Sequence, residues 1–125
     1  MGGRGQNYSI QKRLNNHKNA VIARNKLKNY ILNPTKDESK AKFFKSLGYN
    51  MQNYERLERD MRAKLETSKA LKYQTNPDGS VSFQVNMYIG IDKKALVTTA
   101  WRIDNGSNVP RFITAYPNRS KRVGR

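Results

Sequence analysis

Apolar and polar residues alternate along the second half of the chain, which is the period of a β-strand with one buried face. The clearest run covers 81–89, where five apolar side chains alternate with four polar ones. Proline and glycine at 76–79 favour a tight turn just before it. The pattern predicts four antiparallel strands joined by short connections. The other three strands are expected at 71–75, 95–103 and 111–116.

The first half of the chain has a different period, with apolar residues three or four positions apart, as on one face of a helix. This spacing predicts helices at 20–32, 36–47 and 50–69. Pro34 ends the first helix because the residue before a proline avoids helical angles, and Gly48 ends the second. Helices followed by hairpin-linked strands predict an α+β fold, with N-terminal helices packed on one face of a four-stranded antiparallel sheet.

The pattern predicts one domain with a basic tail at each end. Glycine and asparagine are frequent in 1–17, which we expect to be a flexible tail, while 18–117 forms the α+β domain and 118–125 the second tail. No apolar stretch approaches the ~20 residues of a membrane span, and the first residues carry no apolar core of a signal peptide. We therefore expect a protein that acts in the cytoplasm as a monomer, without membrane contact.

Charge changes this picture more than any other compositional feature. The 125 residues include 25 Lys and Arg against 9 Asp and Glu, which gives a net charge of +16. Such a charge indicates a polyanionic partner, and the open sheet face is a natural surface for RNA or DNA. Exposed aromatic rings can stack on unpaired bases there, although aromatic residues in strands are more often packing residues. We predict nucleic-acid contacts from Lys42, Tyr88, Trp101, Arg102, Arg119, Lys121 and Arg122.

The composition excludes several kinds of catalytic site. Without cysteine the chain has no thiol nucleophile, disulfide scaffold or zinc ribbon. Its single histidine, His17, cannot form a paired-histidine acid–base site. Asp78, Asp92 and Asp104 lie in three separate turns, so the strands offer no carboxylate cluster for a two-metal nuclease. We therefore expect neither a metal nor a cofactor.

The remaining chemistry is RNA cleavage in which the ribose 2′-hydroxyl attacks the adjacent phosphate. The protein then supplies alignment, positive charge and proton transfer rather than a nucleophile. Arg111, Thr114 and Tyr116 on the last strand can provide a phosphate clamp, a hydroxyl donor and a polar aromatic group. Further positive charge is available from Lys40, Lys42 and Arg102.

Each of these residues also has a structural interpretation. Arg111 can pair with Asp104, Thr114 is a good strand former, and lysines on helices are usually solvated. The facing of the last strand stays open. If Ile113 and Ala115 point inward, Phe112, Thr114 and Tyr116 are exposed. The opposite facing leaves Arg111 alone outside.

Four segments of the chain resemble an uncharacterised bacterial domain family, known mainly from toxin-like and phage-associated proteins. They are Lys40-Ala41-Lys42-Phe43-Phe44, Leu47-Gly48-Tyr49, Thr99-Ala100-Trp101 and Pro110-Arg111-Phe112-Ile113-Thr114-Ala115-Tyr116-Pro117. The order of helices and strands over about 20–117 is similar to the barnase–EndoU–colicin–RelE superfamily of ribonuclease toxins. This resemblance implies catalytic positions at Arg111, Thr114, Tyr116, Lys40 and Thr99.

The resemblance implies an RNA-cleaving toxin that acts on tRNA or mRNA, leaves a 2′,3′-cyclic phosphate and is neutralised by an acidic immunity protein. Barnase- and EndoU-like members use a histidine, and the predicted sheet domain has none. This departure favours a RelE-like site of lysine, arginine and tyrosine, or a domain that has lost catalysis. The alternatives are therefore a non-catalytic, phage-linked RNA- or DNA-binding module, and a protein whose charge serves an acidic protein partner.

Overall fold

The helices precede the strands, as in the α+β class that the sequence predicts, and that prediction is confirmed. The computed structural model describes residues 12–119. Short 3₁₀ turns at His17–Asn19 and Met51–Asn53 and a π-helical turn at Leu27–Ile31 accompany the main elements. The main elements are α1 (Arg24–Lys26), α2 (Glu38–Leu47), α3 (Tyr54–Leu65), β1 (Ala70–Thr75), β2 (Val81–Ile89), β3 (Ala95–Ile103) and β4 (Pro110–Pro117).

The folded domain begins earlier than the predicted boundary at residue 18. Leu14 is 1% exposed and belongs to the core, and Arg13 pairs with Lys69 in an isolated antiparallel bridge. The Ala70 N–H donates to the carbonyl of Lys12, which ties this segment to the start of β1. Residues 12–17 are therefore part of the domain, and the rest of the predicted N-terminal tail lies outside the described residues.

The first helical segment is shorter than the predicted helix at 20–32. Val21 is extended and lies beside β4, where its N–H donates to the Pro110 carbonyl and its carbonyl accepts from the Phe112 N–H. These bonds satisfy the backbone of Val21 without a helix. The helical turns start at Arg24, and the π-helical turn Leu27–Ile31 buries both of its terminal residues.

Capping residues next to the other two helices determine where these helices begin and where α2 ends. The Asp37 side chain accepts from the Lys40 N–H at 3.0 Å and caps the start of α2, and Gly48, with φ of 106°, follows its last residue. The Asn50 side chain accepts from the Gln52 and Asn53 N–H groups and opens the turn that leads into α3. These caps fix where the helices stop and so set how their apolar faces meet the sheet.

The four strands form one antiparallel sheet in the order β1-β2-β3-β4. One face of β2 is buried from Val85 to Ile89, and its cross-strand neighbours on β3 share that face. The buried side chains of α2 and α3 pack against it, so the helices cover a single face of the sheet. The resulting core includes Phe44, Leu47, Leu57, Met61, Leu65, Val85, Met87, Ile89, Val97, Trp101, Phe112 and Ala115.

A β-bulge on β4 decides the facing that the sequence leaves open. Thr114 pairs with Ala100, but Phe112 pairs with the next residue of β3, so Ile113 is an extra residue in the ladder. Because of this insertion Phe112 and Ala115 are both buried although they are three residues apart. Thr114 is consequently placed on the face opposite to the core.

Candidate nucleic-acid interface

The face of the sheet opposite the core is polar, and we call it the open face. Strand register places the even-numbered residues of β2 and β3 on this face together with three residues of β4. Within residues 12–119 the large buried side chains of α2 and α3 join the core on the other face. The open face is built from Ser82, Gln84, Asn86, Tyr88, Leu96, Thr98, Ala100, Arg102, Arg111, Thr114 and Tyr116.

Lys40 reaches this face from α2, which lies beside β4. Its Nζ donates to the Thr114 Oγ1 at 3.1 Å and lies 3.9 Å from a carboxylate oxygen of Asp37. The structure thus brings together two residues that are 74 positions apart in the chain. Lys42 is two residues further along the helix, on a different side, where it lines a cavity with Lys45. Of the two predicted lysines on α2, only Lys40 contacts the open face.

Tyr116 lies two residues beyond Thr114 on the same face. Its hydroxyl accepts from the Gln84 Nε2 at 3.3 Å across β3, so the side chain is held near the centre of the sheet. Lys40 thus contacts Thr114, and Tyr116 is the next residue of β4 on the same face, so the three form a row at the β4 side of the open face. The row contains the amine, hydroxyl and phenol predicted from the sequence.

The predicted arginines form a second group at the other end of the sheet. Arg102 and Arg111 are cross-strand neighbours, and Arg111 makes a two-point ion pair with Asp104 at 2.8 and 3.1 Å. The hydrogen bonds from Arg111 lower the pKa of Asp104, and the same bonds raise the pKa of Arg111. Arg111 therefore takes the structural pairing that the sequence left open.

The surroundings of Arg102 are also acidic. Hydrogen bonds from the side chain and backbone of Ser80 lower the pKa of Asp78, and the charge of Arg102 contributes to the same shift. The Arg102 Nε is buried and has no hydrogen-bond partner among the described residues. Asp104 and Asp78 thus lie near the two arginines, and Lys40 brings a further positive charge to the β4 side of the open face.

The structure corrects two of the predicted site positions, Trp101 and Thr99. Trp101 is 0% exposed and packs edge-on against Phe112, so its ring cannot stack on a base. Thr99 is also 0% exposed; its hydroxyl donates to the Val85 carbonyl at 2.7 Å and accepts from the Trp101 Nε1 at 2.8 Å. Both face the core because β3 carries its bulky side chains on the same face as the buried half of β2.

The other predicted contacts differ in their surroundings. The Tyr88 side chain is 56% exposed on the open face, where it is available to a ligand. Arg119 is exposed just after β4. Lys121 and Arg122 lie outside the described residues.

Sequence reasoning missed a polar chain on the open face. The Asn118 Nδ2 donates to the Thr98 Oγ1 at 3.0 Å, and the Thr98 hydroxyl donates to the Asn86 Oδ1 at 2.8 Å. Thr98 is only 4% exposed. The polar residues at alternate positions of 81–89 indicate the solvent-exposed face of a strand, but they do not by themselves indicate hydrogen bonds between their side chains.

The described residues show no arrangement typical of a metal or imidazole site. Within 12–119 no group of three or more His, Cys, Asp or Glu side chains lies close enough to hold a metal ion. The His17 Nε2 lies 3.6 Å from a carboxylate oxygen of Glu66, just after α3, which packs on the core face. In the same range no helix is long and apolar enough to cross a membrane.

These features define a basic α+β domain with one helix-covered sheet face and one polar open face. The chain belongs to the family described as Domain of unknown function (DUF6883), whose family model matches residues 13–119. The match begins at Arg13, in agreement with the early start of the folded domain. Neither the curated proteins nor the solved structures contain a match to this chain.

Proposed function

We propose that this protein is a metal-independent endoribonuclease whose open face binds RNA. The observation that carries the proposal is the contact between the Lys40 Nζ and the Thr114 Oγ1, beside Tyr116. The row combines a cation in contact with one hydroxyl group and a second hydroxyl on the same face, in a protein with a net charge of +16. A phosphodiester on the row would meet both positive charge and hydrogen-bond donors.

The reaction uses the substrate's own nucleophile. The 2′-hydroxyl loses its proton and forms a bond to phosphorus, the bond to the 5′-oxygen breaks, and that oxygen takes up a proton. The products are a 2′,3′-cyclic phosphate and a 5′-hydroxyl, so no metal or cofactor is consumed. Lys40 stabilises the extra negative charge of the phosphorane, Thr114 positions the lysine, and the Tyr116 hydroxyl is the group placed to exchange protons.

The biological role extends this proposal. As the sequence resemblance to ribonuclease toxins suggests, we assign the protein to RNA-cleaving toxins that act in the cytoplasm on tRNA or mRNA. Its charge of +16 would attract an acidic immunity protein, and an acidic surface over the open face would block RNA by competing for Lys40. The alternative, an acidic protein as the sole partner, predicts that RNA is not bound at all.

A non-catalytic RNA-binding module is the second candidate, and two observations favour it. Arg111 is held by Asp104 rather than left open for a phosphate. His17, the only histidine of the chain, lies against Glu66 and away from the open face. Such a module would bind RNA with a strong dependence on salt and leave it intact.

Incubation of the purified protein with total bacterial RNA in EDTA separates these candidates. A ribonuclease produces fragments that end in a 2′,3′-cyclic phosphate, visible on a denaturing gel. We expect Lys40→Met and Tyr116→Phe to reduce cleavage by a factor of about 100, the usual weight of one charge-stabilising or proton-transfer group. Lys45→Met, on the same helix but away from the open face, is the matched control.

Each outcome has a distinct meaning. Intact RNA together with a salt-sensitive mobility shift would replace the enzyme by the binding module. Cleavage that survives both Lys40→Met and Tyr116→Phe would place the reaction elsewhere on the protein. Absence of both cleavage and binding would leave the acidic protein partner as the explanation for the charge.

A further inference from the structure

The polar chain on the open face holds the Asn86 amide in one orientation. The Asn118 Nδ2 can only donate, so the Thr98 Oγ1 accepts from it and turns its own hydrogen toward Asn86. That hydrogen requires an acceptor, and the Asn86 Oδ1 provides it. The Asn86 amide therefore turns its oxygen toward Thr98 and its NH₂ group away from it.

Burial strengthens this orientation. Thr98 is 4% exposed, so reversing the Asn86 amide would bring an NH₂ group against a hydroxyl hydrogen away from water. Asn86 itself is exposed, and its NH₂ has no partner among the described residues. A surface amide that is free to turn can serve either as donor or as acceptor. This one is fixed as a donor.

Tyr88 lies next to this donor. Tyr88 follows Asn86 by two residues along β2 and lies on the same face. The Cα atoms of the two residues are therefore about 7 Å apart. Tyr88 is 56% exposed, which makes it one of the most exposed large hydrophobic residues among those described. This spacing suits a flat ligand that stacks on the Tyr88 ring and accepts a hydrogen bond from the Asn86 NH₂ group.

We propose that Asn86 and Tyr88 form a subsite for one unpaired RNA base and favour bases that carry a carbonyl oxygen over adenine. This inference rests on the proposed RNA-binding function and names the substrate feature that the open face selects. Tyr88 stacks on the base without regard to sequence. Asn86 donates its N–H groups to the base edge, and Thr98 is a positioning residue that acts through Asn86.

The discrimination follows from the chemistry of the bases. Uracil, cytosine and guanine each carry at least one carbonyl oxygen, whereas adenine carries none, and its amino group lies beside two of its ring acceptors, N1 and N7. An asparagine normally recognises adenine with its oxygen and its NH₂ together. Here the oxygen is engaged by Thr98, so an adenine amino group would meet a less available acceptor.

Short 2′-O-methyl oligonucleotides of uridine and of adenosine test the subsite by binding alone, because they lack the attacking hydroxyl. Fluorescence anisotropy gives the ratio of the two affinities for each variant. We expect Asn86→Ala and Thr98→Val to shift this ratio toward adenosine by roughly five-fold, the weight of one hydrogen bond. Asn29→Ala, an exposed asparagine on the π-helical turn, should leave the ratio unchanged.

The outcomes separate this inference from the proposed function. If neither oligonucleotide binds, the RNA-binding function itself fails. If both bind and the ratio is the same in the wild type and in both variants, RNA binds without the subsite and the inference is overturned. A Thr98→Val protein that melts at a lower temperature but keeps the wild-type ratio would show a purely structural polar chain. The Asn86→Ala variant then provides the deciding measurement, because Asn86 is exposed and its replacement does not disturb a buried residue.

Discussion

Replacing Thr99 by valine tests whether this threonine belongs to the core or to the site. The substitution keeps the shape of the side chain and removes only the hydroxyl. In the structure that hydroxyl donates to the Val85 carbonyl and accepts from the Trp101 indole N–H. Both Thr99 and Trp101 are completely buried, so neither water nor RNA can replace the lost partner.

The expected cost follows from the two hydrogen bonds. A buried donor left without a partner costs about 1–3 kcal/mol, and the weaker loss at the carbonyl adds to it. We expect Thr99→Val to lower the free energy of unfolding by about 2 kcal/mol. For a domain of this size that corresponds to a decrease of about 8 °C in Tm.

Thermal and urea unfolding of four proteins provides the measurement. They are the wild type, Thr99→Val, Trp101→Phe and the double variant, which together form a double-mutant cycle. Trp101→Phe removes the indole N–H, so Thr99→Val should cost roughly 1 kcal/mol less in that background. RNA affinity and cleavage per folded molecule should equal the wild-type values in Thr99→Val.

Three results would refute this reasoning. A Thr99→Val protein with the wild-type Tm would mean that the hydroxyl is not paired in the core. A protein that keeps its Tm but loses cleavage would return Thr99 to the site, as the resemblance to ribonuclease toxins implies. Additive effects in the cycle would show that Thr99 and Trp101 do not interact.

Three further predictions concern titration and backbone geometry. Arg111 lowers the pKa of Asp104 in the folded protein. The pair therefore stabilises the fold above the ordinary aspartate pKa of about 4, and this stabilisation is lost as the pH falls through the lowered pKa. The Tm difference between the wild type and Asp104→Asn should therefore shrink from neutral pH to about pH 3; a constant difference would contradict it. Burial raises the pKa of Tyr49, so Tyr49→Phe should leave the tyrosinate absorbance near pH 10 unchanged, and a smaller amplitude would count against burial. At Gly90 a Cβ atom would lie 1.8 Å from the Lys93 carbonyl oxygen, so Gly90→Ala should fail to fold at 37 °C by circular dichroism, and a wild-type spectrum there would disprove the tight turn.

Local patterns predicted the elements well because their causes are local. The alternation in 81–89 and the Pro-Gly turn before it coincide with β2 and its hairpin. The second helix ends at Leu47, where Gly48 adopts the left-handed conformation that the sequence predicts for a helix stop. The first helix was overestimated because nothing local in 20–23 reveals that Val21 bonds to the distant strand β4.

The sequence predicted some residues of the candidate site correctly and placed others wrongly. Lys40, Thr114 and Tyr116 do lie together, whereas Trp101 and Thr99 lie in the core. The two faces of β3 look alike in sequence, since each mixes apolar side chains with threonine. Burial of one face was decided by pairing with β2, whose apolar face is unambiguous.

The sequence by itself determined the period of each segment, the positions of caps and turns, and the excess of positive charge. These depend on neighbours along the chain and on composition. Only the tertiary structure decided which side chains of β3 and β4 face the core, because facing depends on strand register and on the bulge at Ile113. The tertiary structure also pairs Arg111 with Asp104. It brings Lys40 beside Thr114, because these two residues become neighbours only when α2 packs beside the sheet.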